Sequence, residues 1–390
     1  MMNGQDEKIF TKSFFLVFGA LLFTALVMYA LMSTVTEYAT SLGSSATVAG
    51  LVSGIYIFGG LCSRVYSGGV LERIGWRKTA LIFMSIHFLS CLLYFIVSDV
   101  NLLLIVRFIH GIGFGASANA IVTIASAVLP KKRFGEAFGY FMLGTTIAVG
   151  LGPYISGFLY DSAGSQGCFL AASIFSALAL IFISLVDVSQ YDPANRDVKK
   201  QKVTYTGIER IFEIGAIPVS LFTALTSLGY VSILSFYRLY AAEVNLTAAF
   251  SWFFIMYSIV LVISRPIAGK IQDSHGDMLI CVVGIIAQSI GLFLIAVHPS
   301  ALTVVICAVC AALGFGTLNS ACTTIVTRNT PEHRRSYAIS TFFIFCDATM
   351  GFGPALLGSF VSATSGYAPV YFISSIITLI ALPICVISLK

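Results

Sequence analysis

Ionisable side chains stand inside long apolar stretches of this 390-residue chain, among them Glu37, Arg107, His110, Arg238 and Asp347. A charge at the centre of a hydrocarbon-embedded helix costs roughly 2.5–3.5 kcal/mol on insertion scales, so such residues face a partner or a wet cavity and serve function by default. A carboxylate beside a cation can handle a proton: the cation holds the acid ionised, and its withdrawal lets the acid take a proton up. Arg107 and His110 are three residues apart and share a helix face. Arg107 with Glu37 is the first such device in this sequence, and Asp347, near the middle of its stretch, is the second choice. Glu37 and Arg238 carry opposite charges and suit a gate; if their helices end early, both side chains are simply solvated. Tyr29, Asn119 and Asn319, with Glu37, His110 and Arg238, complete the polar residues expected to line a cavity.

These residues need apolar helices to hold them. The chain is 58% hydrophobic and 10% charged, which excludes a soluble globular protein. Its apolar runs of about 20 residues or more are long enough to cross a hydrocarbon core of ~30 Å. Twelve are read, at about 13–40, 46–67, 78–97, 102–127, 136–160, 167–188, 213–241, 247–269, 278–297, 301–327, 336–361 and 367–388. Lysines and arginines gather in alternate loops, which places both termini in the cytoplasm. The net charge of +5 is thus a matter of topology and gives no reason to expect nucleic acid. The first run is too long for a cleavable signal. Nine cysteines, mostly within apolar runs and without Cys/His spacing, read as free packing thiols, so no metal or cofactor is expected. The one long polar stretch, 189–211, divides residues 1–188 from 212–390 and reads as a cytoplasmic linker.

The two halves are copies. Adding 201 to Arg64, Gly68, Glu72 and Gly75 gives Arg265, Gly269, Asp273 and Gly276. The same shift carries Gly113, Gly115, Pro130 and Arg133 onto Gly314, Gly316, Pro331 and Arg334, and GLGPYISG (150–157) onto GFGPALLG (351–358). A constant offset held this far marks a tandem duplication. It also makes Glu37 and Arg238 equivalent positions. It leaves Arg107 and His110 opposite Ala308 and Ala311, so the second copy dropped the charge and kept the glycines. His87 and its mate Gln288 read as interhelical hydrogen-bonding residues. In the packing stretches, Gly150, Gly152 and Gly157, with Gly351, Gly353 and Gly358, allow a close helix approach, Gly150 and Gly157 sharing one face. Pro153 and Pro354 kink their helices.

GGVLERIGWRK (68–78) resembles the loop motif between the second and third helices of the major facilitator superfamily, with Val70 and Glu72 in place of the usual Leu and Asp. RFIHGIGFGA (107–116) resembles the family's fourth-helix motif, associated with proton coupling, and AVGLGPYISG (148–157) resembles the motif of its proton-exchanging exporters. The resemblance implies an all-α polytopic membrane protein: twelve transmembrane helices in two six-helix halves related by tandem duplication. It also implies a conformational latch of Arg64, Gly68, Glu72, Arg73, Gly75, Arg77 and Arg133, repeated as Arg265, Gly269, Asp273, Gly276 and Arg334. Arg133 and Arg334 are the expected partners of its acids. The expected function is a non-enzymatic secondary transporter in the cell membrane, monomeric, exchanging an amphipathic or drug-like solute for protons by alternating access. Proton-coupled uptake of a nutrient or organic anion is the rival reading, and a non-transporting receptor or scaffold a remote one. No nucleotide-binding loop is present to drive a pump.

Overall fold

The computed structural model describes residues 8–44, 46–189, 191, 207–364 and 366–389; most of the expected linker, 189–211, lies outside them. Every regular element among the described residues is helical. In hydrocarbon the backbone must satisfy its own polar groups, which helices do within one segment. In chain order these are α1 (Lys12–Ser41), α2 (Ala46–Ile74), α3 (Trp76–Leu93), α4 (Val100–Val128), α5 (Phe134–Ser184), α6 (Ile217–Glu243) and α7 (Thr247–Ser251). They are followed by α8 (Phe253–His275), α9 (Asp277–Val297), α10 (Ala301–Ala311), α11 (Thr317–Arg328), α12 (Arg335–Thr364) and α13 (Ala368–Ser388).

Helices lie at each of the twelve expected runs; ten described helical stretches are long and apolar enough to cross a membrane, and α2, at the second run, is not among them. One of the ten, Lys131–Ser184, contains the fifth and sixth spans, separated where Gly164 leaves helical geometry at φ 64° and ψ −162°. The tenth span is α10 and α11 joined by a π-helical segment, Ala312–Gly316.

The duplication is visible in the ends of the helices. Asp99 caps α4 by accepting the Asn101 and Leu102 N–H groups at 2.9 and 3.0 Å. Its 201-shifted mate, Ser300, caps α10 in a capping box with Thr303. Such caps satisfy N–H groups that the helix itself leaves unpaired. Single glycines join α2 to α3 and α8 to α9: Gly75 at φ 95° and Gly276 at φ 85°. Only glycine enters that region without steric cost, which is why both copies keep it.

The chain forms two compact units. One holds the chain through Lys131, then Phe141–Ile214 and Thr330–Thr341; the other holds Lys132–Tyr140, Gly215–Asn329 and Phe342–Lys390. Each unit thus takes a short segment from the opposite half of the sequence, the first turns of α5 in one case and of α12 in the other. In the first unit α2 lies directly on α4: a methyl on Gly111 would overlap the Tyr56 carbonyl oxygen. In the second, Tyr230, Tyr257 and Phe315 stack at the centre of an apolar cluster.

The packing glycines differ from expectation. Gly150 and Gly351 are exposed, and a methyl on Gly157 would meet nothing within 4 Å. The close approach falls on Gly152, whose methyl would stand 2.8 Å from Tyr29 Cβ, and on Gly353, against Leu228 and Val231 at 3.0 and 3.1 Å. Two residues along a helix turn the chain by about 200° at 3.6 residues per turn, so Gly150 and Gly152 cannot serve the same neighbour. Pro354 lies half-buried within α12, and the side chain of Pro153 lies outside the described residues.

Candidate functional site

The repeated latch forms two constellations, each within one unit. In the second unit α8 ends at the first turn of α5. Asp273 accepts the Gly135 N–H on Oδ1 and the Glu136 N–H on Oδ2, both at 3.0 Å. These belong to the N–H groups that a helix start cannot pair internally, and they carry the positive end of its dipole, so a carboxylate is a fitting cap. Glycines permit the contact: a methyl on Gly269 would overlap the Gly135 carbonyl oxygen, and one on Gly139 would lie 2.6 Å from that of Arg265. Arg328 pairs with Asp277 at 2.5 Å and reaches Asp273 at 3.9 Å. Buried Arg265 donates from Nε to the Gly316 carbonyl at 3.1 Å, tying α8 to the start of α11.

In the first unit Glu72 stands at the first turn of α12. It accepts the Ser336 hydroxyl at 2.8 Å and the Trp76 indole N–H at 3.4 Å. A ladder of hydroxyls continues along the contact. Asn119 donates to Ser67 Oγ at 2.7 Å, Ser67 and Ser340 lie 3.3 Å apart, and Ser340 donates to the Arg64 carbonyl. Gly68 lets Tyr337 in: its methyl would stand 3.0 Å from the Tyr337 Cα. Arg64 is buried, with its guanidinium 6.0 Å from the Phe114 ring centroid. Arg73 and Arg77 are exposed, and Arg77 donates to the Ser184 carbonyl at 2.9 Å.

The arginines expected beside these acids each have a carboxylate partner of their own. Arg133 pairs with Glu136 at 2.8 Å within its own helix start. Arg334 pairs with Glu213 at 2.6 Å, donates to the Glu209 and Phe212 carbonyls, and lies 4.2 Å over the Tyr337 ring. Arg133 meets a carboxylate three residues along its own helix start, Arg334 meets one from 121 residues away in the chain, and a helix start offers Asp273 two N–H donors at once.

Inside the first unit lies a sealed cationic cluster. Arg107 and His110 have no exposed surface. Arg107 donates from Nε to the Val52 carbonyl at 3.1 Å and from Nη1 to Tyr94 Oη at 3.5 Å, and its guanidinium lies 4.3 Å from the Tyr56 ring centroid. His110 Nδ1 is 2.9 Å from Tyr94 Oη, and its Nε2 is 3.6 Å from Cys91 Sγ. Arg107 therefore rests on a carbonyl, a phenol and a ring, and not on Glu37 as the sequence suggested. Glu37 is exposed near the end of α1, within electrostatic range of Tyr160 and Cys168. Arg107 and Glu37 are not brought together in this conformation.

Of the remaining expected residues, Tyr29 is half-buried against Gly152. Asp347 and Asn319 are half-buried in the second unit, Asn319 Nδ2 lying 4.0 Å from Cys346 Sγ. Asn119 and His110, expected to line a cavity, are wholly buried here. The side chain of Arg238 lies outside the described residues, so of the expected gate only Glu37 is described. His87 differs from its reading as a hydrogen-bonding residue, since neither ring nitrogen makes a hydrogen bond of good geometry. Its mate Gln288 fulfils that reading, accepting the Phe315 N–H and donating to the Thr226 carbonyl, both at 2.7 Å.

Sequence reasoning missed Ser67, Ser336 and Ser340, whose signal was their serine spacing beside the motif, and Arg328, whose signal was a basic residue near the second elbow. Nothing in the sequence marks the π-helical break at Gly314, beyond the glycines themselves.

Repeat-related contacts between an acid and a helix start thus stand on a duplicated fold whose described elements are all helical. The major facilitator superfamily model matches residues 17–250 and 219–390, and the chain belongs to that family. It is 26% identical over 354 residues to an uncharacterized MFS-type transporter of Methanocaldococcus jannaschii, covering 88% of this chain and 89% of that one. It is 25% identical over 289 residues to the multi-drug resistance efflux pump PmrA of Streptococcus pneumoniae, covering 72% of this chain and 70% of the pump. Its fold is similar to that of the fucose:proton symporter FucP of E. coli, with a TM-score of 0.77 at 11% identity over 97% of this chain and 98% of the symporter. The chain is a multi-pass membrane transporter of this family, not an enzyme.

Proposed function

We propose that this chain is a secondary transporter that moves an amphipathic or drug-like solute out of the cell in exchange for protons. The observation that carries the reading is the pair of repeat-related locks, Glu72 on Ser336 and Asp273 on Gly135 and Glu136. Each is a short contact between an acid and a helix start, made of a few hydrogen bonds that a conformational change can break and remake. A static scaffold has no need of two. Alternating access needs just such reversible contacts on one face, and the basic loops assign that face to the cytoplasm. Outward direction is supported by the likeness to a multi-drug resistance efflux pump and by the exporter-like stretch 148–157. Protons are the proposed driving ion because ionisable groups stand inside the spans without a nucleotide site. The protein acts as a monomer in the cell membrane, with both termini cytoplasmic.

The test uses purified protein in proteoliposomes with ethidium, an aromatic cation, as probe. Acidifying the lumen of vesicles in which the cytoplasmic face points outward should drive ethidium in, beyond its level in protein-free vesicles. Accumulation driven instead by an acidic exterior would make the protein a symporter. Indifference to either gradient would remove the proton from the reading.

A further inference from the structure

His87 and His110 face each other inside the first unit with ring centroids 4.4 Å apart, and neither has exposed surface. His110 has partners for both nitrogens, in Tyr94 and Cys91. Neither ring nitrogen of His87 makes a hydrogen bond of good geometry, and the one polar group found acting on the ring is the His110 backbone. Tyr56 Oη and Arg107 Nη2 are likewise buried and unpartnered. Native proteins pair about 90% or more of such groups, so a cluster with several unmet ones requires an explanation.

The surroundings narrow it. From α2 the group facing the pair is Tyr56; from α3, Cys91, with Tyr94 just past its end; from α4, Arg107 and Phe114. Ser176 of α5 bonds Cys91, Phe169 of the same helix stacks on Tyr94, and α1 contributes the apolar Val27, Leu31 and Val35. Arg64 acts from further along α2. No carboxylate is among them. Imidazole is the side chain in this set that ordinarily changes charge between pH 5 and 8.

The second copy shows that packing does not demand these residues. His87, Arg107 and His110 correspond to Gln288, Ala308 and Ala311. There the single amide of Gln288 makes both of its interhelical bonds, at 2.7 Å each. One copy fills the position with a satisfied amide, and the other keeps an imidazole without a hydrogen bond of good geometry.

We propose that the His87–His110 pair binds the coupling proton, in place of a carboxylate. The proposal rests on the proton-coupled reading above. Arg107 supplies the release: a proton on either ring faces a buried guanidinium, and like charges disfavour each other. Arg107 is anchored to the Val52 carbonyl of α2, so a shift of α4 along α2 changes its distance from the rings. With the cluster sealed as here, the pair is empty; a conformation that opens it to water and draws Arg107 off lets a proton on. Proton binding and conformation are then linked through one helix contact.

The experiment has two arms. The first follows the ring nitrogens of the chain's five histidines by NMR of imidazole-labelled wild type in lipid nanodiscs, with His87→Gln and His110→Gln for assignment. One of the two rings taking up a proton between pH 5 and 8 supports the pair; both staying neutral throughout overturns it. The second measures ethidium in the proteoliposomes above. One-for-one exchange supports about a tenfold gradient per pH unit, which the double variant should lose, its gradient falling to about onefold. A wild type indifferent to pH overturns both this proposal and the proton-coupled reading. A coupled wild type whose double variant still builds the gradient overturns the histidine pair alone.

Discussion

The two elbows descend from one sequence and now lock by different chemistry. Asp273 grips bare helix backbone, with glycines at 135, 139 and 269 bringing the chains together and Arg328 adding a counter-charge. Glu72, one methylene longer, stands off far enough to take a serine hydroxyl and an indole, with the bulk of Tyr337 in the gap and a ladder of serines and Asn119 behind it. The mates explain the split. Gly135 corresponds to Ser336, Gly139 to Ser340, and Asp277 to Trp76. Where one copy has glycine it uses backbone; where the other has serine it uses side chains. Duplication therefore conserved where the lock sits and left its materials free to change.

If backbone contact is what closes the Asp273 lock, filling the glycine should harm it most. Gly269→Ala places a methyl on the Gly135 carbonyl oxygen, where neither side can yield without moving a helix. Overpacking of this kind costs about 1–3 kcal/mol, enough to shift a balanced equilibrium by roughly fivefold or more. Gly68→Ala meets the Tyr337 Cα at 3.0 Å and should cost less. Spin-label distances across each elbow measure the closed fraction; equal effects at both would erase the distinction drawn here.

Charge should separate the elbows next. Asp273→Asn keeps the shape but offers the helix start a neutral oxygen and an amide. Hydrogen bonds to charged groups contribute about 1.5–3 kcal/mol against about 0.5–1.5 for neutral ones, so the loss should be about 1 kcal/mol. Glu72→Gln still accepts from Ser336 and Trp76 and should change the closed fraction less. The same distance measurements decide, and a larger effect at Glu72 would reverse the comparison.

Much of this was legible in the residues. Apolar run length pointed to the helices, and the 201-residue offset to the elbows and their acids, because glycine at positive φ and an acid beside it are local features that a sequence displays. The partners were not legible. Arg133 and Arg334 look like natural mates for the acids, but whether an arginine or a helix start arrives first depends on tertiary approach distances of an ångström or two. Arg107 shows the same limit: its type predicted a buried charge, while its resting place on Val52, Tyr94 and Tyr56 is set by how closely α2 and α4 pack at Gly111. The Gly150 and Gly152 exchange is a matter of helix phase, which a glycine-rich run leaves open in either direction.

The smallest expected difference is in the response to salt. Arg328 is partly exposed where it meets Asp277 at 2.5 Å and Asp273 at 3.9 Å. Pairs of this kind contribute about 0.2–1 kcal/mol. The screening length falls from about 30 Å to about 3 Å between 0.01 and 1 M salt, so the Asp273 elbow should loosen measurably over that range. Arg328→Gln should reproduce the loosening at low salt and leave little for added salt to remove. The hydroxyl ladder at Ser67, Ser340 and Asn119 carries no net charge and sits wholly buried, so the contact of Ser67 with Ser340 should hold its distance distribution more nearly constant. If salt opened both elbows alike, or if Arg328→Gln left the salt response intact, the counter-charge would have no part in the lock. The Asp273 elbow would then rest on the helix start and its glycines alone.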